Sequence, residues 1–173
     1  MYYGDKVCLR AYREDDIDKA TSFVNDKELK KFLVTTIPFP TTMWEEESWI
    51  KSQISNNNGT YNFAIEDIEN NKYIGGCGIQ QVDWLNRVAT VGIMIGYKDY
   101  WGKGYGTDAM KVLIKFLFDD MNINKIRLST FSFNERAINS YKKCGFEIEG
   151  ILKEEIFKDG KYYDKIIMSI FNK

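Results

Sequence analysis

A glycine-rich segment between an apolar run and an amphipathic helix is the feature of this 173-residue sequence that most clearly indicates chemistry. Ala89–Ile95 is apolar and rich in β-branched residues, which predicts a buried strand. Gly96–Gly106 follows with four glycines. Phosphate binding is favoured at the start of a helix, because the first amides there are unpaired and the helix dipole has its positive end there. Glycines also allow the backbone to approach the phosphate closely. The helix is predicted from apolar residues on one face: Ala109, Met110, Leu113, Phe116 and Leu117.

Two widespread phosphate-binding loops are excluded by the spacing of these glycines. A nucleotide P-loop has glycine, four residues, and then Gly-Lys-Ser/Thr. Here five residues separate Gly96 from Gly102-Lys103, and Gly104 stands where a hydroxyl residue is needed. A dinucleotide fingerprint has Gly-x-Gly-x-x-Gly, and Thr107 occupies the position of its third glycine. The loop therefore favours another phosphate-bearing ligand.

Two blocks of sequence resemble the GNAT N-acetyltransferase family, in particular its branch of ribosomal-protein and spermidine N-acetyltransferases. Tyr100-Trp-Gly-Lys-Gly-Tyr-Gly-Thr107 is similar to the family's acetyl-CoA pyrophosphate loop, Gln/Arg-x-x-Gly-x-Gly/Ala, with Trp101 in place of Gln/Arg. Asn134-Glu-Arg-Ala-Ile-Asn-Ser-Tyr-Lys-Lys-Cys-Gly-Phe146 is similar to the family's Asn-x-x-Ala-x-x-x-Tyr-x-x-x-Gly-Phe. The resemblance covers nearly the whole chain, but poorly between Thr35 and Thr60.

The resemblance implies that acetyl-CoA is the acyl donor, and it assigns residues to that ligand. The loop amides would hold the pyrophosphate, and the backbone of the preceding strand would hold the pantetheine arm. Tyr141 matches the family's general acid, which would protonate the leaving thiolate, since a phenol ionises near ~10 and a free thiol near ~8.5. The implied cofactor-binding residues are Met94, Ile95, Gly96, Trp101, Gly102, Lys103, Gly104, Tyr105, Gly106, Thr107 and Asn134.

Each of these assignments has a structural alternative. The glycines could form an ordinary strand-to-helix turn, and Tyr141 could be a core aromatic one turn after Ala137 and Ile138. Asn134 could be a helix N-cap, a role that is compatible with a place near the cofactor. The second sequence block favours the functional interpretation of the loop.

The general base is not identified by the sequence. There is no histidine, which removes the commonest base and the Ser-His and Cys-His pairs. Many relatives have a glutamate where Thr90 stands, so Glu66, Asp83 or a chain of waters stay open as alternatives; proximity alone also gives large effective molarities. Glu45–Glu47 could attract a cationic amine, although such a run more often forms a solvated helix face.

Composition excludes several classes of protein. The 24 basic and 25 acidic residues nearly balance, and there is no basic run, so no nucleic-acid partner is expected. No apolar segment reaches the ~18 residues of a membrane span, and the start lacks the pattern of a signal peptide. Three scattered cysteines, Cys8, Cys77 and Cys144, indicate reduced thiols in a cytoplasmic protein, with no disulfide and no metal site.

Periodicity and turn signals predict one mixed α/β (α+β) domain over residues 1–173, with helices on both sides of a central sheet of about seven strands. The resemblance adds a GNAT-type fold, in which two parallel strands, 89–95 and 125–131, splay apart around the thioester tail. The predicted strands are 6–11, 61–66, 73–80, 89–95, 125–131, 148–157 and 162–171. The predicted helices are about 13–24, 28–32, a segment capped by Thr42 and Glu45 that ends near Ser55 before the turn Asn56–Gly59, the segment after Thr107, and one from Asn134 to Gly145.

The predicted function is acetyl transfer to a primary amine by direct attack in a ternary complex. A protein N-terminus or a small amine is the expected acceptor, and a spermidine-like polyamine is the alternative. A non-catalytic acyl-CoA-binding module is the alternative of another class, favoured by Thr90 and opposed by the presence of Tyr141. A homodimer or higher homo-oligomer is also considered.

Overall fold

A single eight-stranded sheet with helices on both faces forms the framework, in a computed structural model that describes residues 1–33, 36–54 and 60–173. The mixed α/β prediction is confirmed. The strands are β1 Tyr2–Tyr3, β2 Val7–Arg10, β3 Asn62–Asp67, β4 Lys72–Asp83, β5 Val88–Ile95, β6 Lys125–Phe131, β7 Glu147–Lys158 and β8 Lys161–Phe171. The helices are α1 Ile17–Asn25, α2 Lys27–Leu33, α3 Met43–Ile54, α4 Tyr105–Lys115 and α5 Glu135–Lys143. The prediction of about seven strands missed β1, because two tyrosines are too short a pattern to indicate a strand.

The order of the strands is β1-β2-β3-β4-β5-β6-β8-β7, and every neighbouring pair is antiparallel except β5 and β6. The parallel pairing of β5 with β6 covers only the start of each strand, from Val88–Lys125 to Thr90–Arg127. Beyond that point β5 continues to Ile95 and β6 to Phe131 without pairing. The predicted splay between these strands is therefore confirmed, and it opens a gap in the middle of the sheet.

Buried side chains form two clusters, one on each face of the sheet. Successive side chains of a strand point to opposite faces of the sheet. In β3, Ile65 accordingly belongs to one cluster and Ala64 to the other. The first cluster contains the apolar face of α4, and Tyr141 of α5 packs in it. The second contains residues of α1, α2 and α3 with Tyr12 and Tyr73. Residues of both clusters line the cleft that forms the candidate site.

Local sequence signals predicted several helix ends correctly. The Thr42 hydroxyl accepts from the Glu45 amide at 3.2 Å, and the Glu45 carboxylate accepts from the Thr42 amide at 2.7 Å, which confirms the predicted capping box. Gly145 follows α5 with a φ of +95°, as expected after a helix end. The first helix is shorter than predicted, because Glu14–Asp16 forms a 3₁₀ turn. Thr35, where the segment that resembles the family poorly begins, and the predicted turn Asn56–Gly59 lie outside the described residues.

Candidate active site

The glycine-rich loop leads directly into α4, whose first residue is Tyr105. Gly102 has a φ of +71° and Gly104, the N-cap of α4, a φ of +89°. No atom lies within 4 Å of a side chain built at Gly102, and only Lys6 Cε approaches one at Gly104, at 3.8 Å. Glycine is thus required here by the left-handed backbone rather than by crowding. This backbone presents the first amides of α4 to the cleft.

Trp101, which stands at the Gln/Arg position of the family loop, joins the loop to the strand. Its Nε1 donates to the carbonyl oxygen of Ile95 at 2.7 Å. The Arg136 guanidinium of α5 lies 3.7 Å from the centroid of the indole, a cation–π contact. Trp101 therefore positions the loop against β5 and places a cation beside it.

The other loop residues divide between the cleft and the outer surface. Gly102, Gly104, Gly106 and Thr107 line the cleft with Trp101. The side chains of Lys103 and Tyr105 lie outside it: the Lys103 carbonyl accepts from Lys6, and the Tyr105 ring packs on Tyr100 with centroids 4.7 Å apart. A backbone role of these two residues is compatible with the geometry.

The backbone of β5 offers a different set of amides from the predicted one. The Gly96 amide donates to Ile74 at 2.7 Å, and Met94 pairs with Gly76. Because amide groups alternate along a strand, those of Met94 and Gly96 point toward β4, whereas those of Ile93 and Ile95 point toward the gap. Gly96 also lies against the Phe23 ring and does not line the cleft. The amide of Ile95 is thus compatible with the role that the resemblance implies, Met94 lines the cleft although its amide points toward β4, and Ile93 is a lining residue that the sequence did not indicate.

Tyr141 and Asn134 of the second sequence block both line the cleft. The Asn134 side chain accepts from the Ala137 amide at 3.3 Å, so it is the N-cap of α5 and faces the cleft as well. Helix α5 is held against the start of α4 by a hydrogen bond of 2.8 Å between the hydroxyls of Ser140 and Thr107. The loop and the helix that carries Tyr141 are therefore directly connected.

Tyr141 is buried, with 8% of its surface exposed, and packs on Phe146 with ring centroids 5.9 Å apart. The residue belongs to the core, as its structural alternative predicts, and it also lines the cleft, a position compatible with the role of a general acid. Burial raises the pKa of the Tyr141 phenol to about 12. The hydroxyl therefore carries its proton at neutral pH, as a proton donor must.

Neither carboxylate proposed as a base from the sequence lines the cleft among the described residues. Glu66 forms ion pairs with Arg10 and Arg13. Asp83 accepts from Asn86 at the surface. Thr90, at the position of the family glutamate, accepts from Arg127 Nε at 3.0 Å. All three residues have structural partners instead.

Glu46 is the one carboxylate along the cleft within residues 1–33, 36–54 and 60–173. It is 9% exposed, so the expectation of a solvated glutamate face on α3 is wrong at this position. The sequence held a signal for it, since Glu46 precedes the buried Ile50 by four residues, one turn of the same helix face. Trp49 lines the cleft beside it, whereas Trp44 and Trp84 are exposed rather than in the core.

The cleft has a volume of about 1560 Å³ and combines features suited to a long polyanionic thioester. Three positively charged side chains, Arg136, Lys143 and Lys165, line the cleft, and the loop amides offer further partners for phosphates. The sheet gap offers the amides of Ile93 and Ile95 to an amide-containing arm. Tyr141 lines the same cleft and carries a protonated hydroxyl. Such a fold and site define a coenzyme A-dependent acyltransferase.

Comparison with known proteins identifies the family. The profile of the acetyltransferase (GNAT) domain matches residues 6–147. The chain is 27% identical to the uncharacterized N-acetyltransferase p20 of Bacillus licheniformis, over 99% of this chain and 96% of that protein. It is 26% identical to spermidine N(1)-acetyltransferase of Vibrio cholerae, over 93% and 90% of the two chains.

A solved structure agrees with these sequence matches. The spermidine N-acetyltransferase of Vibrio cholerae in complex with CoA and spermine superimposes with a TM-score of 0.85 and 26% identity, covering 96% of this chain and 95% of that one. The chain belongs to the GNAT acetyltransferase family, and acetyl-CoA is its acyl donor. In the part of the chain that is described, no three His, Cys, Asp or Glu side chains are grouped as metal ligands. No helix among those residues is long and apolar enough to cross a bilayer.

Proposed function

We propose that the protein transfers the acetyl group of acetyl-CoA to a primary amine by direct attack in a ternary complex. The observation that carries this proposal is the continuous cleft that joins the glycine loop, the gap beside β5 and Tyr141. A donor and an acceptor can occupy one such cleft together. Positioning two reactants in this way supplies a large part of the rate acceleration.

The residues have distinct roles in this reaction. The amine nitrogen attacks the thioester carbonyl, the new N–C bond forms, and the C–S bond breaks. The nitrogen loses a proton to solvent, and Tyr141 gives a proton to the departing thiolate. The amides of Gly102–Thr107 hold the pyrophosphate of the donor, and the amides of Ile93 and Ile95 hold its arm.

The cysteines do not favour a covalent acetyl-enzyme. Burial raises the pKa of the Cys144 thiol to about 11, and burial also raises that of Cys77, which lines the cleft. A thiol that keeps its proton at neutral pH is a poor nucleophile. Initial-velocity plots are therefore expected to intersect, as a ternary complex requires, and not to run parallel.

Two acceptor classes follow from different observations. The similarity to spermidine N-acetyltransferases and the carboxylate of Glu46 in the cleft favour a polyamine or other small cationic amine. A protein N-terminus is the second candidate, because the cleft is large and bordered by the exposed Trp49.

The test is CoA release from acetyl-CoA, followed by chromatography, with polyamines, small amines, amino acids and peptides with free N-termini. Release with none of these amines would count against the proposal.

Tyr141→Phe distinguishes an enzyme from an acyl-CoA-binding module. We expect kcat to fall about 100-fold, because a positioned acid contributes a factor of this order, while the KM for acetyl-CoA changes less than threefold. Tyr162→Phe, an exposed tyrosine of the β7–β8 hairpin, is the control and should keep full activity. Unchanged kcat in Tyr141→Phe would contradict the assigned role.

A further inference from the structure

Glu46 is a buried carboxylate without a counter-ion. It lies in the first turn of α3, faces the cleft and is 9% exposed. Among the described residues it makes no ion pair and no side-chain hydrogen bond, and burial is the cause that raises the pKa of its carboxyl. Buried carboxylates are normally paired, because desolvation of an unpaired charge is costly. An unpartnered one that faces a ligand cleft therefore indicates a ligand that supplies the partner.

Aromatic side chains line the cleft together with this carboxylate. Tyr12 and Tyr73 are both buried near enough to Glu46 for its charge to contribute to their raised pKa values. The Tyr12 ring packs edge-on against Trp49 with centroids 5.4 Å apart and against Tyr73 with centroids 6.2 Å apart. A carboxylate with aromatic rings nearby suits an organic ammonium, which gains from ring quadrupoles and from the negative charge.

This aromatic group lies beside the strand that leads to the reacting centre. A side chain built at Gly76 of β4 would meet the Tyr12 hydroxyl at 2.2 Å, so the hydroxyl lies directly against that strand. Gly76 pairs with Met94 of β5, next to the amides that face the gap. The Tyr12 ring, which lines the cleft with Glu46, thus lies beside the strand that pairs with β5.

Charged side chains of both signs line the cleft. Arg136 contacts Trp101 and Phe32, beside the glycine-rich loop, and Lys143 follows on the same helix. Lys165 of β8 is a third basic residue along the cleft. Glu46 is the single carboxylate that lines the described part of the cleft, so it is the group there that can attract a cation.

We propose that Glu46 determines acceptor specificity by binding a positively charged nitrogen of the acceptor other than the one that is acetylated. The attacking nitrogen must be neutral, and a carboxylate next to an amine stabilises its charged form. Glu46 is therefore better suited to a second ammonium that stays charged throughout. This inference rests on the proposed function and narrows it to acceptors with two amines.

The experiment compares 1,4-diaminobutane with pentylamine, in which a methyl group replaces one ammonium. For the wild-type protein we expect a KM for the diamine about 10- to 100-fold lower than for pentylamine. Glu46→Gln should raise the diamine KM by about the same factor, with kcat changed less than threefold and pentylamine unaffected. Glu47→Gln is the matched control, since Glu47 is paired with Lys51 at the surface at 2.6 Å.

A binding titration separates this inference from the proposed function. Calorimetry with CoA bound and no acetyl group measures amine affinity without turnover, and the acetyl-CoA melting shift verifies that Glu46→Gln is folded. Equal affinity of wild type and Glu46→Gln for the diamine would overturn the role of Glu46, even if both amines are acetylated. Failure to acetylate either amine, with diamine binding that depends on Glu46, would count against the reaction and support the binding site.

Discussion

Gly102 and Gly104 adopt a backbone conformation in the loop that strains any other residue. Gly102 and Gly104 have positive φ values in open space, so a side chain there meets little resistance from neighbours but strains the backbone. A non-glycine residue in this left-handed region costs about 1–2 kcal/mol. The loop amides that face the donor depend on this conformation.

Gly104→Ala is expected to weaken donor binding more than it weakens the fold. The KM for acetyl-CoA should rise about tenfold, because the loop either bears strain or changes its conformation, and the melting temperature should fall by a few degrees. Steady-state kinetics and thermal unfolding measure the two effects. Gly150→Ala is the control, since Gly150 also lies in open space but has no left-handed φ.

The cost of burying Glu46 should depend on pH. Its folded-state pKa is raised above the unfolded value of 4.5, so the penalty is absent below that value and complete above the folded pKa. Tyr12 and Tyr73, which face it, titrate far above this window, and Asp16 is already paired with Arg10.

Without ligands, Glu46→Gln should therefore melt at a higher temperature than wild type at pH 8, and the difference should shrink as pH falls toward 4. Thermal unfolding at the two pH values measures this. Glu47→Gln should show no comparable gain at pH 8. A difference that stays constant between the two pH values would show that desolvation of Glu46 is not its cause.

At the scale of elements, a buried ionic network joins β2, the turn before α1 and β3. Arg10 is 4% exposed and contacts Asp16 at 2.8 Å, and it also pairs with Glu66. Arg13 contacts Glu66 at 3.1 Å from the other side. Removal of one member of such a network leaves a buried charge uncompensated.

Glu66→Gln should destabilise the protein by about 3 kcal/mol, while kcat measured well below the melting temperature stays within twofold of wild type. Urea unfolding and steady-state assays measure the two quantities. Asp83→Asn, at an exposed carboxylate outside the cleft, should change neither. A large loss of kcat in Glu66→Gln with normal stability would instead support Glu66 as the general base.

Features encoded by short patterns could be predicted from the sequence, and features that depend on distant packing could not. The glycine loop, the Asn134 cap and the place of Tyr141 all follow from contiguous residues. The spacing of Glu46 and Ile50 puts both on the buried face of α3, but the run of three glutamates gave the wrong expectation, because the tyrosines that line the cleft with Glu46, Tyr12 and Tyr73, are far away in the sequence. The role of Ile93 depends on how β5 pairs with β4, which the sequence does not specify to one residue.

At the scale of the whole molecule, acetyl-CoA should act as a stabilising ligand. A ligand at 100 times its Kd adds about 2.7 kcal/mol to the free energy of unfolding, which for a chain of this length corresponds to about 5–10 °C in melting temperature. Thermal unfolding with and without acetyl-CoA measures the shift. Pantetheine, which lacks the phosphates, should give a smaller shift if the glycine loop provides much of the affinity.

The homo-oligomer considered from the sequence stays a prediction. Strand β7 lies at the edge of the sheet and exposes Ile148, Ile151 and Leu152. Light scattering of the purified protein measures its oligomeric state directly.

Asp108 connects the start of the chain to the donor site. Its carboxylate accepts from the amides of Asp5, Lys6 and Val7 at 3.2, 2.8 and 3.0 Å, while its own amide donates to Gly104 at 2.9 Å. The first turn of α4 therefore contacts the glycine-rich loop through the Asp108 amide and the segment that leads into β2 through the Asp108 carboxylate. We therefore expect binding of the donor and ordering of residues 5–7 to be thermodynamically linked: loss of the Asp108 contacts should weaken affinity for the donor, and an occupied donor site should strengthen those contacts.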